Sequence, residues 1–164
     1  MAGMEAGSLT HEKTMAAFNA ATNFHEAAIR CLPSLALPTI MPMAMIVNIA
    51  FACELYFKTN LIALGNNTHG HDLQALFKEL PEDQQAQIAA RYTSGVLEPT
   101  IQLDVALGQV GRAFVDWRYV YERQHSGVAI GALWRLARVL FVHTDGQYRD
   151  PDMTGQQRSR LATS

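Results

Sequence analysis

Apolar residues recur along most of this chain at spacings of three and four, the period of one face of an α-helix. A first helix is predicted from Thr10, which can cap its N-terminus, to Arg30. Its expected buried face consists of Met15, Phe18, Ala21, His25 and Ala28.

The second predicted helix, from Pro42 to Leu64, is apolar nearly all round. A proline suits the first turn of a helix, and Gly65 can terminate it. The apolar stretch is at the short limit for crossing a bilayer and contains Asn48 and Glu54. We therefore interpret it as the buried central helix of a bundle, with no membrane contact.

Four further helices are predicted in the second half of the chain. They run from His71 to Leu80, from Pro81 to Ser94, from Pro99 to Arg123, and from Val128 to Val142. Alternation typical of strands is missing from the sequence. The pattern predicts an all-α, single-domain antiparallel bundle of five to six helices over residues 10–143. Residues 1–9 and 144–164 are expected to be flexible ends.

Composition supports one folded domain, because 49% of the 164 residues are hydrophobic and only 17% are charged. So few charges suggest an apolar surface patch, which a homodimer would cover. Cys31 and Cys53 stand alone and are interpreted as reduced, buried thiols. The first residues lack the basic and apolar regions of a secretory signal, so we expect a cytoplasmic protein.

Charge is distributed unevenly along the chain. Residues 1–111 hold 5 basic and 10 acidic side chains, whereas residues 112–138 hold 5 basic and 2 acidic ones. The basic residues of the second segment are Arg112, Arg118, Arg123, Arg135 and Arg138. Arginine suits bidentate phosphate recognition, so this segment is expected to bind RNA or a nucleotide, with Tyr121 able to stack on a base. Alternatively, the arginines form ion pairs within the helix, such as Arg112 with Asp116.

Arg118 and His125 lie on the same side of the predicted fifth helix, about 10.5 Å apart along its axis. Two copies of the chain could bring both residue types to one phosphodiester. Histidine would act as general acid–base, arginine would stabilise developing charge, and Glu122 could orient one of them. No metal would be needed. Alternatively, Arg118 pairs with Glu122 while His125 lies at the helix C-terminus.

Two other polar groups are candidate binding residues. His69, His71 and Asp72 resemble part of a metal site, but no paired histidines elsewhere complete it, so no metal is predicted. His71 and Asp72 are better interpreted as the start of the third helix. Glu54 and Lys58 are spaced for an ion pair on the central helix, for which an arginine of the fifth helix is a suitable third partner.

Three segments together resemble bacterial HEPN-domain proteins. They are 52–62 (ACELYFKTNLI), 69–77 (HGHDLQALF) and 114–122 (FVDWRYVYE). The resemblance covers about residues 40–142. It implies a helical bundle, usually dimeric, from a superfamily rich in RNases, toxins with cognate antitoxins, phage-defence components and nucleotide-binding domains.

Catalytic members of that family carry an arginine, four to six intervening residues and then a histidine. Arg118 and His125 have six residues between them, which is the limit of that range. Tyr119 follows the arginine where a polar residue is common, and Gly127 stands where toxins carry a tyrosine. The leading hypothesis is a dimeric, cofactor-free endoribonuclease of toxin or defence type, with an antitoxin partner. The alternative is a non-catalytic interaction or nucleotide-binding module, in which an arginine–glutamate pair is structural.

Overall fold

The computed structural model describes residues 2–32, 43–66, 68–94, 101–118 and 129–164, with side chains from residue 7 onward. Within these ranges the chain forms helices and no strands, so the all-α prediction is confirmed. The helices are α1 (Ala2–Arg30), α2 (Met43–Ala63), α3 (Leu73–Glu79), α4 (Glu82–Thr93), α5 (Leu103–Val110), α6 (Ala113–Arg118), α7 (Ile130–Gln147) and α8 (Gly155–Thr163).

The central position predicted for the second helix is confirmed by α2. This helix contacts α1, α3, α6 and α7, and its buried residues face several directions. Its length and apolar composition would also suit a membrane span. Because other helices of the same chain bury most of it, the packing is that of the core helix of a bundle.

Helix α1 packs along α2 through the face that the sequence predicted. Phe18, Ala21, His25 and Ala28 are buried, and Met15 is partly buried against the same core. The helix begins earlier than expected, at Ala2 rather than near Thr10. Residues 7–9 are nevertheless exposed, so the first turns add little to the core.

The single fifth helix predicted from Pro99 to Arg123 is divided at Gly111, and its last residues lie outside the described part of the chain. The amide of Leu73 donates to the carbonyl of Gly111 at 2.9 Å. A Cβ atom on Gly111 would lie 2.8 Å from the Leu107 carbonyl and 3.3 Å from the Asp72 carboxylate. The start of α3 therefore docks on a bend between α5 and α6 that only glycine accommodates.

The C-terminal segment 144–164 contains a packed helix in place of the loose end that its polar composition predicted. Helix α7 continues to Gln147, and Thr154 begins α8 with a capping box to Gln157. Leu161 is buried, and the Arg158 guanidinium donates to both carboxylate oxygens of Asp145 at 3.1 Å. Buried Leu161 and ion pairs from Arg158 to Asp145 and from Arg160 to Glu26 thus attach a mostly polar helix to the bundle.

Candidate functional site

A three-residue polar cluster joins α2 to the start of α3. The Glu54 carboxylate is completely buried and accepts a hydrogen bond from the Lys58 ammonium at 2.7 Å. It also accepts from Nδ1 of His71, with distances of 2.9 and 3.0 Å to its two oxygens. The pair predicted between Glu54 and Lys58 is confirmed, and within the described residues its third partner is a histidine rather than the expected arginine.

The turn between α2 and α3 returns His71 to the side of Glu54. Gly65 and Gly70 have φ angles of 79° and 88°, in the left-handed region that favours glycine. Asp72 then caps α3, its carboxylate accepting from the amides of Gln74 and Ala75. The predicted helix start is therefore confirmed, and because α3 is fixed at this point, the His71 ring has a defined position beside α2.

The hydrogen bond to Glu54 determines the chemistry of His71. The Glu54 carboxylate, paired with an ammonium, can accept hydrogen bonds but cannot donate them. In the neutral His71 ring, Nδ1 therefore carries the hydrogen. Nε2 is then the basic nitrogen. Half of the His71 side chain is exposed, whereas Glu54 is fully buried. A buried carboxylate that orients a half-exposed imidazole is the arrangement that positions a general acid–base.

An aromatic cluster places Arg118 beside this histidine. The Phe114 ring stacks on Phe51 with centroids 4.6 Å apart, and its centroid lies 5.5 Å from that of His71. The guanidinium carbon of Arg118 lies over the same ring, 5.8 Å from its centroid. Arg118 is exposed, so it does not occupy the buried position of a core pair. Both His71 and Arg118 therefore lie close to the Phe114 ring, at 5.5 and 5.8 Å from its centroid, so their separation is at most about the sum of these two distances.

The other residues predicted from the late helix have different outcomes. His125, Glu122, Tyr121 and Arg123 lie outside the described residues, so the predicted arginine–histidine pair stays a prediction. The expected helical ion pair of Arg112 is present, with its Nε 3.9 Å from a carboxylate oxygen of Asp116.

The histidines and acidic residues around α3 do not form a metal site. Asp72 caps the helix, while His71 faces Glu54. In the part of the chain that the structure describes, no group of three or more histidine, cysteine or acidic side chains could hold a metal ion. Of these residues, Asp72 caps α3 and His71 belongs to the Glu54 cluster, while His69 is exposed.

Sequence reasoning missed the polar role of a second histidine. His25 is completely buried in α1, where Nδ1 lies 3.2 Å from the Tyr56 hydroxyl and Nε2 lies 3.1 Å from the Ser164 hydroxyl. Burial lowers the pKa of His25 to about 3, so this ring is neutral near neutral pH. The position of His25 on the apolar face of α1 predicted that it would be buried, but it did not predict the contacts with Tyr56 and Ser164.

The two cysteines differ in their surroundings. Cys53 is buried in α2, and its thiol is directed at the Leu133 carbonyl, with a sulfur–oxygen distance of 3.8 Å. Burial raises the pKa of this thiol, which keeps it protonated and unreactive. Cys31 is partly buried, and both residues are free thiols. They therefore play no part in the candidate site.

Comparison of the chain with models of protein families, with curated proteins and with solved structures finds no match. The fold and the site geometry are therefore the basis on which its function is inferred.

Proposed function

We propose that this protein is a HEPN-like, metal-independent endoribonuclease whose site includes the Glu54–His71 pair and Arg118. The observation that carries the proposal is the hydrogen bond between a fully buried carboxylate and a half-exposed imidazole, 2.9 Å long, beside an exposed guanidinium. The resemblance to HEPN-domain proteins supplies the reaction class. The geometry supports His71 as an acid–base group in addition to the predicted His125.

In the proposed reaction, Nε2 of His71 takes the proton of a ribose 2′-hydroxyl. The 2′-oxygen then forms a bond to phosphorus, and the bond from phosphorus to the 5′-oxygen breaks. The leaving oxygen takes a proton from a second acid, for which His125 is the candidate. The products are a 2′,3′-cyclic phosphate and a 5′-hydroxyl, so the reaction needs neither water nor a metal at this step.

Arg118 has the properties needed to bind the reacting phosphate. Its guanidinium is always charged, and its planar donors match two phosphate oxygens. Contact with the Phe114 ring restricts the side chain, so less freedom is lost when a phosphate binds. Negative charge that develops on the phosphorus oxygens would then be stabilised by a group already in position.

A homodimer fits the exposed face of α5. Ile101 and Val105 are 43% and 50% exposed, and no atom lies within 4 Å of a Cβ built on Gly108. Asp104 and Arg112 each lie four residues from Gly108, on opposite sides. An antiparallel pairing of two copies at Gly108 would therefore place each aspartate near the partner's arginine. Because Arg118 lies ten residues beyond Gly108, such an antiparallel dimer would place the two Arg118 residues at opposite ends of the paired segments, about 30 Å apart along the axis.

The non-catalytic alternative is favoured by one observation, the complete burial of Glu54 with an ion pair to Lys58. Such pairs are also found as structural elements, and a protein of this kind would bind a partner or a nucleotide without cleaving RNA. The two functions differ in what the wild-type protein does to RNA. In the non-catalytic case, RNA would remain intact with wild type as well as with a variant that lacks Arg118.

The test is cleavage of a mixed-sequence RNA in the presence of EDTA, with product ends analysed for 2′,3′-cyclic phosphate. Wild type is expected to cleave, and Arg118→Ala is expected to lose about 10²–10³-fold in rate because it lacks transition-state charge stabilisation. His125→Ala is measured in parallel, and Arg149→Ala, another exposed arginine, is the matched control. Equal rates in wild type and Arg118→Ala, or no cleavage by wild type, would overturn the proposal.

A further inference from the structure

A small pocket lies where α4, α7 and α8 meet, away from the Glu54 cluster. Its volume is about 210 Å³. It is lined by Arg91, Ser94, Arg138, Val139, Val142 and Ala162. Two arginines therefore contribute to one concave surface in a chain whose net charge is −2.

Neither arginine of this pocket has a counter-charge among the described residues. The ion pairs there involve other basic residues, namely Arg30, Lys58, His71, Arg112, Arg158 and Arg160. Two guanidinium groups that line one pocket repel each other unless an anion lies between them. Among the described residues, no ion pair neutralises the positive charge of this pocket.

Contacts with neighbouring groups explain why Arg91 lies in this pocket, but they do not explain Arg138. Arg91 lies in the last turn of α4, where the helix dipole favours a cation. Arg135, one turn before Arg138 on α7, lies over the Tyr92 ring at 5.2 Å. Arg138 has no comparable contact with a helix end or with an aromatic ring of the described residues. Its presence beside Arg91 is the feature that points to a ligand.

The positive charge of Arg91 also affects a buried histidine of α7. The pKa of His143, a buried residue of α7, is lowered first by burial and then by the charge of Arg91, with an opposing effect from Asp83. A bound anion would offset the charge of Arg91. Because the charge of Arg91 lowers the pKa of a buried histidine, its electrostatic field reaches the protein interior, where screening by water is weaker than at an open surface.

The rest of the lining limits the size and chemistry of the ligand. The Ser94 hydroxyl donates its hydrogen to the Arg91 carbonyl at 3.0 Å, so the two guanidinium groups are the donors of the pocket, and Val139 and Val142 form an apolar wall. The volume equals the share of about seven liquid waters, each of about 30 Å³. A phosphate with a short substituent fits that space, whereas drug-sized ligands occupy pockets of about 300–1,000 Å³.

We propose that this pocket binds a small phosphate monoester or free phosphate, held by the Arg91 and Arg138 guanidinium groups. Arginine presents parallel donors that match two phosphate oxygens, and two arginines match the double charge of a monoester. The site is separate from the proposed RNA site and does not depend on RNA cleavage.

The test is isothermal titration of the full chain with inorganic phosphate and with glycerol phosphate, at constant ionic strength set by chloride. Wild type is expected to bind both ligands with saturation. The double variant Arg91→Ala/Arg138→Ala is expected to bind at least tenfold more weakly, while Arg149→Ala binds like wild type. Arg138→Lys keeps the charge but loses the planar donors, so it is expected to weaken binding as well.

Thermal unfolding of each variant, without ligand, verifies that the substitutions leave the fold intact. Stronger binding of glycerol phosphate than of phosphate would identify the monoester as the better ligand, and equal binding would identify free phosphate as sufficient. The proposal is overturned if wild type shows no saturable binding. It is also overturned if the double variant, still folded, binds as wild type does, or if Arg149→Ala loses binding equally.

Discussion

At the scale of single residues, Glu54 has the most demanding environment in the described chain. Its carboxylate is inaccessible to water, and Lys58 and His71 provide its hydrogen bonds. Removing one member of a buried ion pair is costly because the other charge is left without a partner. Glu54 therefore has a part both in stability and in the proposed function, because the carboxylate that pairs with Lys58 also orients His71.

Substitution of Glu54 tests the stability part of this account. Glu54→Ala is expected to lower the free energy of unfolding by about 3–5 kcal/mol, because Lys58 remains largely buried without its partner. Replacing both residues with methionine is expected to recover most of that loss. Urea denaturation measures both effects, with exposed Glu79→Ala as the control, expected within about 0.5 kcal/mol of wild type. A loss below about 1 kcal/mol in Glu54→Ala would contradict the buried pair.

His25 makes stability depend on pH. Its folded-state pKa is about 3, against 6.5 for the free side chain. Between these values the unfolded chain binds a proton that the folded chain does not, so stability falls as pH falls from about 6.5 towards 3. At pH 5 the titration of His25 lowers the free energy of unfolding by about 2 kcal/mol relative to its value well above pH 6.5. Burial lowers the pKa of His143 as well, which adds a contribution of the same sign.

The measurement is urea denaturation at pH 7.5 and pH 5. His25→Gln, which has no titrating ring, is expected to lose much less stability between the two pH values than wild type does. His11→Gln replaces an exposed histidine of the same helix and should retain the wild-type difference. An unchanged pH difference in His25→Gln would show that His25 is accessible to protons in the folded protein.

At the scale of elements, the sequence predicted those helices whose apolar spacing is regular and whose ends carry local signals. The leucines at 73, 76 and 80 and the Asp72 cap define α3, and the continuous apolar sequence of α2 required burial on several sides. The sequence pattern did not predict α8, because Leu161 is one of few apolar residues in a polar segment. Its position depends on contacts with α7 and α1 that spacing cannot indicate.

The parts of the site that the sequence predicted are likewise the local ones. Glu54 and Lys58 are four residues apart, so their pairing followed from helix geometry. His71 is 17 residues from Glu54, across a turn with two left-handed glycines, and its contact depends on how α3 docks. The hydrogen bond from the Leu73 amide to the Gly111 carbonyl is also non-local, because it depends on how α3 docks.

Two glycines of this segment provide a matched test of the bend. Gly111→Ala is expected to destabilise the protein by about 1–3 kcal/mol, because the new Cβ would lie 2.8 Å from a backbone carbonyl. Gly108→Ala meets no atom within 4 Å and is expected to stabilise α5 by up to about 1 kcal/mol. Thermal unfolding distinguishes the two. Similar effects of both substitutions would contradict the close approach of the Gly111 position to the Leu107 carbonyl.

At the scale of the whole molecule, the exposed apolar face of α5 predicts self-association. Light scattering coupled to size-exclusion chromatography is expected to show a dimer for wild type. Val105→Arg is expected to give a monomer, because it places a charge in the exposed apolar face of α5. Gln87→Arg adds the same charge to an exposed position of α4 and should remain dimeric. A monomeric wild type, or a dimeric Val105→Arg variant, would exclude the proposed interface.

The proposed chemistry depends most on His71. This residue lies just before α3, at the edge of a core that buries its carboxylate partner, Glu54. The most direct measurement is the rate of metal-free RNA cleavage by His71→Ala compared with wild type, in EDTA, with melting temperatures recorded for both. Because His71 is half exposed, the variant is expected to remain folded while its rate falls by about 10²–10⁴-fold. A folded His71→Ala protein that cleaves RNA at the wild-type rate would contradict the account.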